Sequence, residues 1–172
     1  LRHRGYTWEN LTSFLYLTTE GIFSTAVGVA ASYIFLFVLF GAVLQKSGMG
    51  QFFNDIALAL AGQSRGGPAK VAVVASGFLG SINGAAVANV VTTGAFTIPM
   101  MKRVGYKPVF AGAVESSASV GGQILPPVMG AAAFIMAETL GMPYRDIAIA
   151  ALVPALLYYL GVIAQVHLRA TK

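Results

Sequence analysis

The chain has 172 residues, a formal net charge of +5 and no cysteine, with 56% hydrophobic and 10% charged residues. Soluble domains carry about 25% charged residues and disordered chains are less hydrophobic, so both classes are excluded. The lack of cysteine excludes disulfides, thiol catalysis and cysteine-bound metals. The basic residues lie at the ends of apolar stretches, which is typical of membrane anchoring and not of a nucleic-acid-binding face.

Apolar stretches long enough to cross a bilayer dominate the sequence. Asp, Glu, Lys and Arg are absent from residues 21–45, 71–101, 116–137 and 147–168, which contain 25, 31, 22 and 22 residues. A transmembrane helix needs about 20 apolar residues. The sequence therefore predicts an all-α polytopic membrane protein. Because the first residue is Leu and not Met, we expect this chain to be a piece of a longer protein.

The predicted elements follow from these stretches and from the polar residues between them. Trp8 and the tyrosines near it favour the membrane–water interface, and residues 50–63 are amphipathic but too short to span. In chain order we expect an interfacial lead-in at 1–20, a transmembrane helix at 22–44, an interfacial helix at 50–63, a re-entrant hairpin at 70–101, a broken transmembrane helix at 108–140 and a transmembrane helix at 147–168.

Two structures fit the stretch 71–101. Gly80, Asn83 and Gly84 lie in its middle, where each glycine costs a helix about 1 kcal/mol relative to alanine. One structure is a single long kinked span, and the other is a re-entrant hairpin with arms near 70–79 and 85–101. Non-helical backbone at this depth requires protein or a watery cavity around it.

The distribution of basic residues separates these two structures. With a hairpin, eight Lys and Arg residues lie on one side of the membrane, and Arg145 lies on the other side with the terminal Arg2 and Arg4. With a full span, four lie on one side and five on the other, besides the two terminal arginines. The positive-inside rule therefore favours the hairpin and makes its basic side cytoplasmic.

Residues 108–140 contain a second interruption. Gly121 and Gly122 loosen the end of the first half, and Pro126 and Pro127 stand where a second half begins. A discontinuous helix explains both features. The resulting order of helix, surface helix, hairpin, broken helix and helix is that of one half of an inverted-repeat secondary transporter.

The two interruptions predict a binding site. Half-helix ends expose carbonyl oxygens, which suit sodium, and amide groups at the positive end of the helix dipole, which suit a carboxylate. The candidate sodium- and substrate-binding residues are Gly80, Ser81, Asn83, Gly84, Asn89, Thr92, Thr93, Gly121, Gly122, Gln123 and Pro126. The alternative is that these small and polar residues only let the helices pack closely.

Glu115 is a carboxylate inside a predicted membrane helix, eight residues after Lys107. Such a group costs about 2.5 kcal/mol or more at a helix centre. It is either a proton- or ion-binding group or the partner of a basic residue near the cytoplasmic interface, and the ion pair is the preferred interpretation.

No reactive constellation accompanies these residues: the sequence has no paired acids, no Ser–His–Asp set and no HExxH motif. An enzyme is therefore not expected. We also expect no cofactor, and no metal site beyond the sodium site.

Three segments resemble a known family. They are residues 66–76 (GGPAKVAVVAS), residues 86–94 (AVANVVTTG), and residues 112–134, which open on GAVE and end on GGQILPPVMGAAAF. They resemble the large membrane subunit of tripartite ATP-independent periplasmic (TRAP) transporters. The likeness is greatest to the fused-permease type that works with a TAXI-type binding protein. It runs over nearly the whole chain and corresponds to the N-terminal half of the transport domain.

This resemblance implies an elevator-type permease that imports small organic acids (carboxylates, dicarboxylates among them) by symport with sodium as the coupling ion. The implied partners are a periplasmic substrate-binding protein, a small membrane subunit or its fused equivalent, and the missing C-terminal half of the permease. The implied location is the bacterial or archaeal cytoplasmic (inner) membrane, with several passes. The sodium site beside the substrate would lie at 80–85 and 121–127.

Two other functions fit the same elements. A channel-like pore subunit would need no coupling ion, so saturable sodium-dependent uptake separates it from a transporter. A non-transporting membrane assembly protein would use its small-residue faces only for packing, and it would tolerate changes at the polar residues of both interruptions.

Overall fold

A computed structural model of the chain describes residues 5–170, and this part contains helices and no strand. The all-α prediction is confirmed. The helices are α1 (Trp8–Leu17), α2 (Thr25–Val29), α3 (Phe35–Lys46), α4 (Met49–Ala61), α5 (Gly67–Asn83), α6 (Ala86–Arg103), α7 (Pro108–Gly121), α8 (Ala131–Leu140) and α9 (Tyr144–Ala170). The first four residues of the predicted lead-in lie outside the described residues, as does Lys172 of the charge count.

Two runs of helix are long and apolar enough to cross a membrane. A π-helical segment, Ala30–Ile34, joins α2 to α3, so the first run covers Thr25–Leu44 with 20 residues, and the second is α9 with 27 residues. Large apolar side chains such as Phe35 and Leu157 project outward from both runs and are exposed. Continuous apolar surface of this extent needs lipid or another protein surface to cover it.

The amphipathic helix α1 stands apart from the rest of the fold. The Thr7 hydroxyl caps it by accepting a hydrogen bond from the Asn10 N–H at 3.3 Å. Among the described elements α1 packs against no other helix, and Trp8 and Leu17 are largely exposed. Its interfacial location stays a prediction.

Helix α5 is the centre of the bundle and packs against α4, α6, α7 and α9. Small side chains make these contacts close: Ala57 and Ala61 of α4 form one buried cluster with Val71 and Ala75 of α5. On the other side of α5, Ala72 packs with Met101 of α6 and with residues of α7 and α9. Alanine at these contacts lets helix backbones approach where larger residues would hold them apart.

Helices α5 and α6 form a helical hairpin, but the interruption between them is shorter than expected. Gly80 and Ser81 continue α5, and only Gly84 and Ala85 are non-helical. The expectation that Gly80 breaks the helix is therefore wrong. Gly80 keeps helical hydrogen bonding, and its missing side chain serves a contact described below. Re-entry of this hairpin into a membrane stays a prediction.

The second interruption is longer than expected. Helix α7 ends at Gly121 and α8 begins at Ala131, so the non-helical segment extends beyond Pro127. Helix α9 closes this region, because the hydroxyls of Tyr158 and Tyr159 donate to the Ser117 and Ala118 carbonyls, both at 2.8 Å.

Candidate functional site

The turn between α5 and α6 depends on Gly84. Its φ of +62° is a left-handed conformation that favours glycine, and its N–H donates to the Gly80 carbonyl at 2.9 Å, which closes α5. The Asn83 side-chain oxygen then accepts a hydrogen bond from the Ala85 N–H at 3.1 Å. Asn83 thus shapes the turn before α6.

The loop between α7 and α8 lies directly on this turn. The Val128 N–H donates to the Ser81 carbonyl at 2.9 Å. A side chain on Gly84 would place its first carbon 1.9 Å from the Met129 carbonyl oxygen, so the two backbones touch. The two predicted interruptions therefore form one region of the molecule.

Two glycines make a second contact between these segments. A side-chain carbon on Gly80 would lie 2.7 Å from the Gly122 Cα, and one on Gly122 would lie 2.6 Å from the Gly80 Cα. Any larger residue at either position must push α5 and the end of α7 apart. The same carbon on Gly80 would lie 2.9 Å from the Asn89 amide nitrogen, which places Asn89 beside the contact.

The carbonyl oxygens at the end of α7 all accept hydrogen bonds. The hydroxyls of Tyr158 and Tyr159 donate to the carbonyls of residues 117 and 118. The backbone N–H groups of residues 122–125 donate to the carbonyls of residues 119–122. A carbonyl oxygen has two lone pairs, so one that accepts a single hydrogen bond can also contact a cation.

The beginnings of two helices adjoin at the turn. Gly130 precedes α8, and a side-chain carbon on it would lie 3.3 Å from the Gly84 carbonyl oxygen, just before α6. Helix N-termini carry free N–H groups and partial positive charge. A cavity of about 90 Å³ lies there and is lined by Asn83, Gly84, Ala85, Met129 and Ala131 among others.

A buried carboxylate lies deeper in the hairpin. Glu115 of α7 is 0% exposed and is surrounded by hydroxyl groups from three helices. Its Oε1 accepts hydrogen bonds from Ser76 of α5 at 2.8 Å, from Ser119 at 3.2 Å and from Thr93 of α6. Its Oε2 accepts one from Thr97 of α6 at 2.5 Å. Glu115 therefore connects both hairpin arms to α7.

This environment differs from the ion pair that the sequence favoured. Within residues 5–170, the one ion pair joins Arg145 to Asp146 at 3.3 Å, and Glu115 pairs with no basic residue. That expectation was wrong because the nearby basic residues project outward, whereas hydroxyls occupy the interior. The signal for this arrangement is the i, i+4 spacing of Thr93 with Thr97 and of Glu115 with Ser119, which places each pair on one helix face.

The predicted site residues differ in their surroundings. The backbones of Gly80, Ser81, Gly84 and Gly122 meet at the two contacts, and Asn83 lies in the turn. Asn89 and Thr93 are buried next to the Glu115 cluster. A third group lies apart from it: Gln123 is exposed, Pro126 is half-buried, and Thr92 is half-buried with its methyl group towards Gly50 of α4. Gly121 contacts the Tyr158 ring of α9.

These features define a helical membrane protein with interrupted helices that meet around polar groups. The family model described as "Tripartite ATP-independent periplasmic transporter, DctM component" matches residues 6–172. The chain therefore belongs to this family, and the resemblance to TRAP large permease subunits is confirmed.

Named relatives agree with this assignment. A C4-dicarboxylate TRAP transporter large permease protein of Pseudomonas aeruginosa is 30% identical over 145 residues, which cover 84% of this chain and 33% of that protein. A putative TRAP transporter large permease protein of Haemophilus influenzae is 31% identical over 91 residues, covering 53% of this chain and 21% of the relative. A 2,3-diketo-L-gulonate TRAP transporter large permease protein of Escherichia coli gives the same identity and coverage.

The chain thus spans between a fifth and a third of the length of these relatives. No solved structure matches it significantly.

Proposed function

We propose that this chain forms part of the permease of a sodium-coupled secondary transporter that imports small organic acids. The main support is a contact between the hairpin turn and the interrupted helix, which lie far apart in sequence. They meet at Gly80 and Gly122 and through the hydrogen bond from the Val128 N–H to the Ser81 carbonyl. Discontinuous helices that meet in this way provide ion and substrate sites in secondary transporters.

Sodium coupling is supported by the oxygen atoms at this junction. The end of α7 presents a row of carbonyl oxygens, and hard cations prefer oxygen ligands. The amide nitrogen of the buried Asn89 side chain lies beside the Gly80–Gly122 contact, and the oxygen of the same amide accepts no hydrogen bond. These groups are our proposed ligands, and the remaining ones would come from the part of the permease outside this chain.

A carboxylate substrate is supported by the paired beginnings of α6 and α8. Ala85 and Ala131, at the beginnings of these helices, both line one small cavity, and helix N-termini carry partial positive charge that suits an anion. The names of two relatives refer to a C4-dicarboxylate and to 2,3-diketo-L-gulonate, and both of these molecules are organic acids. We place the complete protein in the bacterial or archaeal inner membrane, with a periplasmic binding protein delivering the substrate and a small membrane subunit or fused equivalent beside the permease.

The test uses the complete parent protein with its binding protein in proteoliposomes. Uptake of radiolabelled C4-dicarboxylates and keto sugar acids is measured in sodium chloride and in choline chloride of equal ionic strength. We expect saturable uptake that requires sodium. Uptake that is unchanged in choline chloride would overturn sodium coupling, and non-saturable flux would favour a channel.

Gly122→Val in this assay tests the site itself. Its side chain would enter the Gly80 backbone, so we expect sodium-dependent uptake to fall below detection. The matched control is Gly112→Val on the same helix α7, where a side-chain carbon would meet nothing within 4 Å. Uptake by Gly122→Val equal to that of the control would refute the assignment of the site.

A further inference from the structure

Asn89 has an unusual set of contacts for a fully buried side chain. It is 0% exposed, and its amide N–H donates to the Ser76 carbonyl of α5 at 2.8 Å. Its side-chain oxygen accepts no hydrogen bond. A buried polar atom without a partner is costly and needs a reason.

The direction of this amide is fixed by what it contacts. The nitrogen faces the Ser76 carbonyl and Gly80, next to Gly122. The free oxygen of a side chain held beside the junction of the two interruptions is suited to accept a positively charged ligand. Asn89 therefore carries a vacant acceptor on the same amide group whose nitrogen lies beside the Gly80–Gly122 contact, where we propose the sodium site.

Glu115 contacts the two residues, Ser76 and Thr93, that contact Asn89. Ser76 carries the carbonyl that binds the amide, and its hydroxyl donates to Glu115 at 2.8 Å. Thr93 contacts Glu115 as well, and the oxygen of the same hydroxyl, which has one proton to share between them, lies 2.8 Å from the Asn89 backbone carbonyl oxygen. The hydroxyl oxygens of Ser76 and Thr93 lie 3.0 Å apart, so the carboxylate connects to Asn89 from both arms of the hairpin.

We infer that Glu115 is a positioning residue for sodium binding: through Ser76 and Thr93 it fixes Asn89 so that the free side-chain oxygen of Asn89 faces the ion. The inference rests on the proposed sodium coupling and adds a residue that does not itself contact the ion.

The test measures sodium affinity without any organic substrate. The thermal unfolding midpoint of the purified complete protein is followed as sodium chloride replaces choline chloride at constant ionic strength. Glu115→Gln keeps the shape and one acceptor oxygen but removes the charge and leaves Thr97 facing an amide. We expect the half-saturating sodium concentration to rise about 10- to 100-fold, as for groups that orient the ligands of an ion. Glu138→Gln, a change at an exposed glutamate of α8, is the control and should not alter it.

A second pair of variants separates positioning from simple stability. Thr93→Val removes the hydroxyl and keeps the shape, whereas Thr93→Ser keeps the hydroxyl. We expect Thr93→Val to lose more sodium affinity than Thr93→Ser. If Glu115→Gln does not fold, this pair of variants tests whether the Glu115 cluster positions Asn89 for sodium binding.

The outcomes are distinguishable. A lower unfolding midpoint with unchanged half-saturation in Glu115→Gln, or equal sodium affinity in the two Thr93 variants, would overturn the inference and leave sodium coupling intact. A wild-type protein whose midpoint does not respond to sodium would instead overturn the proposed sodium site.

Discussion

At the scale of single residues, Gly84 and Gly141 make an instructive comparison. Both end a helix with a φ of +62°, which favours glycine. They differ in their surroundings, because a side-chain carbon on Gly84 would overlap the Met129 carbonyl, whereas one on Gly141 would meet nothing within 4 Å. The pair therefore separates backbone strain from steric contact.

We predict that Gly141→Ala costs about 1 to 2 kcal/mol of folding free energy, the cost of a left-handed residue with a side chain. Gly84→Ala should cost about 2 to 5 kcal/mol, because overpacking against the loop adds to the strain. The measurement is the thermal unfolding midpoint of both variants of the complete protein in detergent. Equal shifts for the two variants would show that the loop between α7 and α8 does not contact Gly84 closely in solution.

At the residue scale, prediction from sequence succeeded where the backbone preferences of single residues determine the structure. Glycines marked both interruptions and prolines marked the second, because these residues are poorly suited to a helix interior. It failed for Gly80, whose role is to let Gly122 approach, and for the partners of Glu115. Both depend on which helices become neighbours, and the positions of Ser76 and Thr93 in the chain do not reveal that they meet at one carboxylate.

At the scale of elements, the hairpin of α5 and α6 is the feature with the largest consequence for topology. The two helices have 17 and 18 residues and are joined by two residues. Lys70 and Lys102 lie near the two ends farthest from the turn. The chain reverses direction between them, so the ends of both arms lie on the same side of the bundle.

Cysteine labelling tests how this hairpin sits in the membrane. Lys70→Cys and Lys102→Cys in the complete protein are treated with an impermeant thiol reagent from each side, and this chain contributes no cysteine of its own. We expect both positions to react only from the cytoplasmic side, as the charge count predicts. A third variant, Asn83→Cys, should be protected by sodium if the ion lies near the turn. Reaction of the first two positions from opposite sides would rule out the hairpin topology.

Element positions were more predictable than element details. The apolar stretches predicted where helices lie, because hydropathy and length are properties of the sequence itself. The π-helical segment Ala30–Ile34 and the extension of the second interruption to residue 130 were not predicted. Both are local adjustments to packing on α8 and on the hairpin turn, so they depend on tertiary contacts.

At the scale of the whole molecule, the exposed apolar surface sets the conditions under which this chain is stable. The outer faces of Thr25–Leu44 and of α9 expose large side chains over lengths that match a bilayer. The proposed site would be completed by the further sequence that the longer relatives carry.

We predict that the 172-residue chain expressed alone stays in the membrane fraction through alkaline carbonate extraction and is released by detergent. It should support no sodium-dependent uptake, because the proposed inverted-repeat site would take its remaining ligands from the further sequence that the longer relatives carry. The measurements are fractionation by immunoblot and the uptake assay, with the complete protein as the positive control. Release by carbonate alone would contradict the membrane assignment of these helices.

The tyrosine pair on α9 has a consequence for the helix end that we propose as part of the sodium site. Because the hydroxyls of Tyr158 and Tyr159 and the following N–H groups already serve the carbonyls at the end of α7, that helix end is held in shape without an ion. If the proposed sodium site lies there, a cation would use the second lone pair of those carbonyl oxygens that accept a single hydrogen bond. Binding and release would then require no refolding of this helix end.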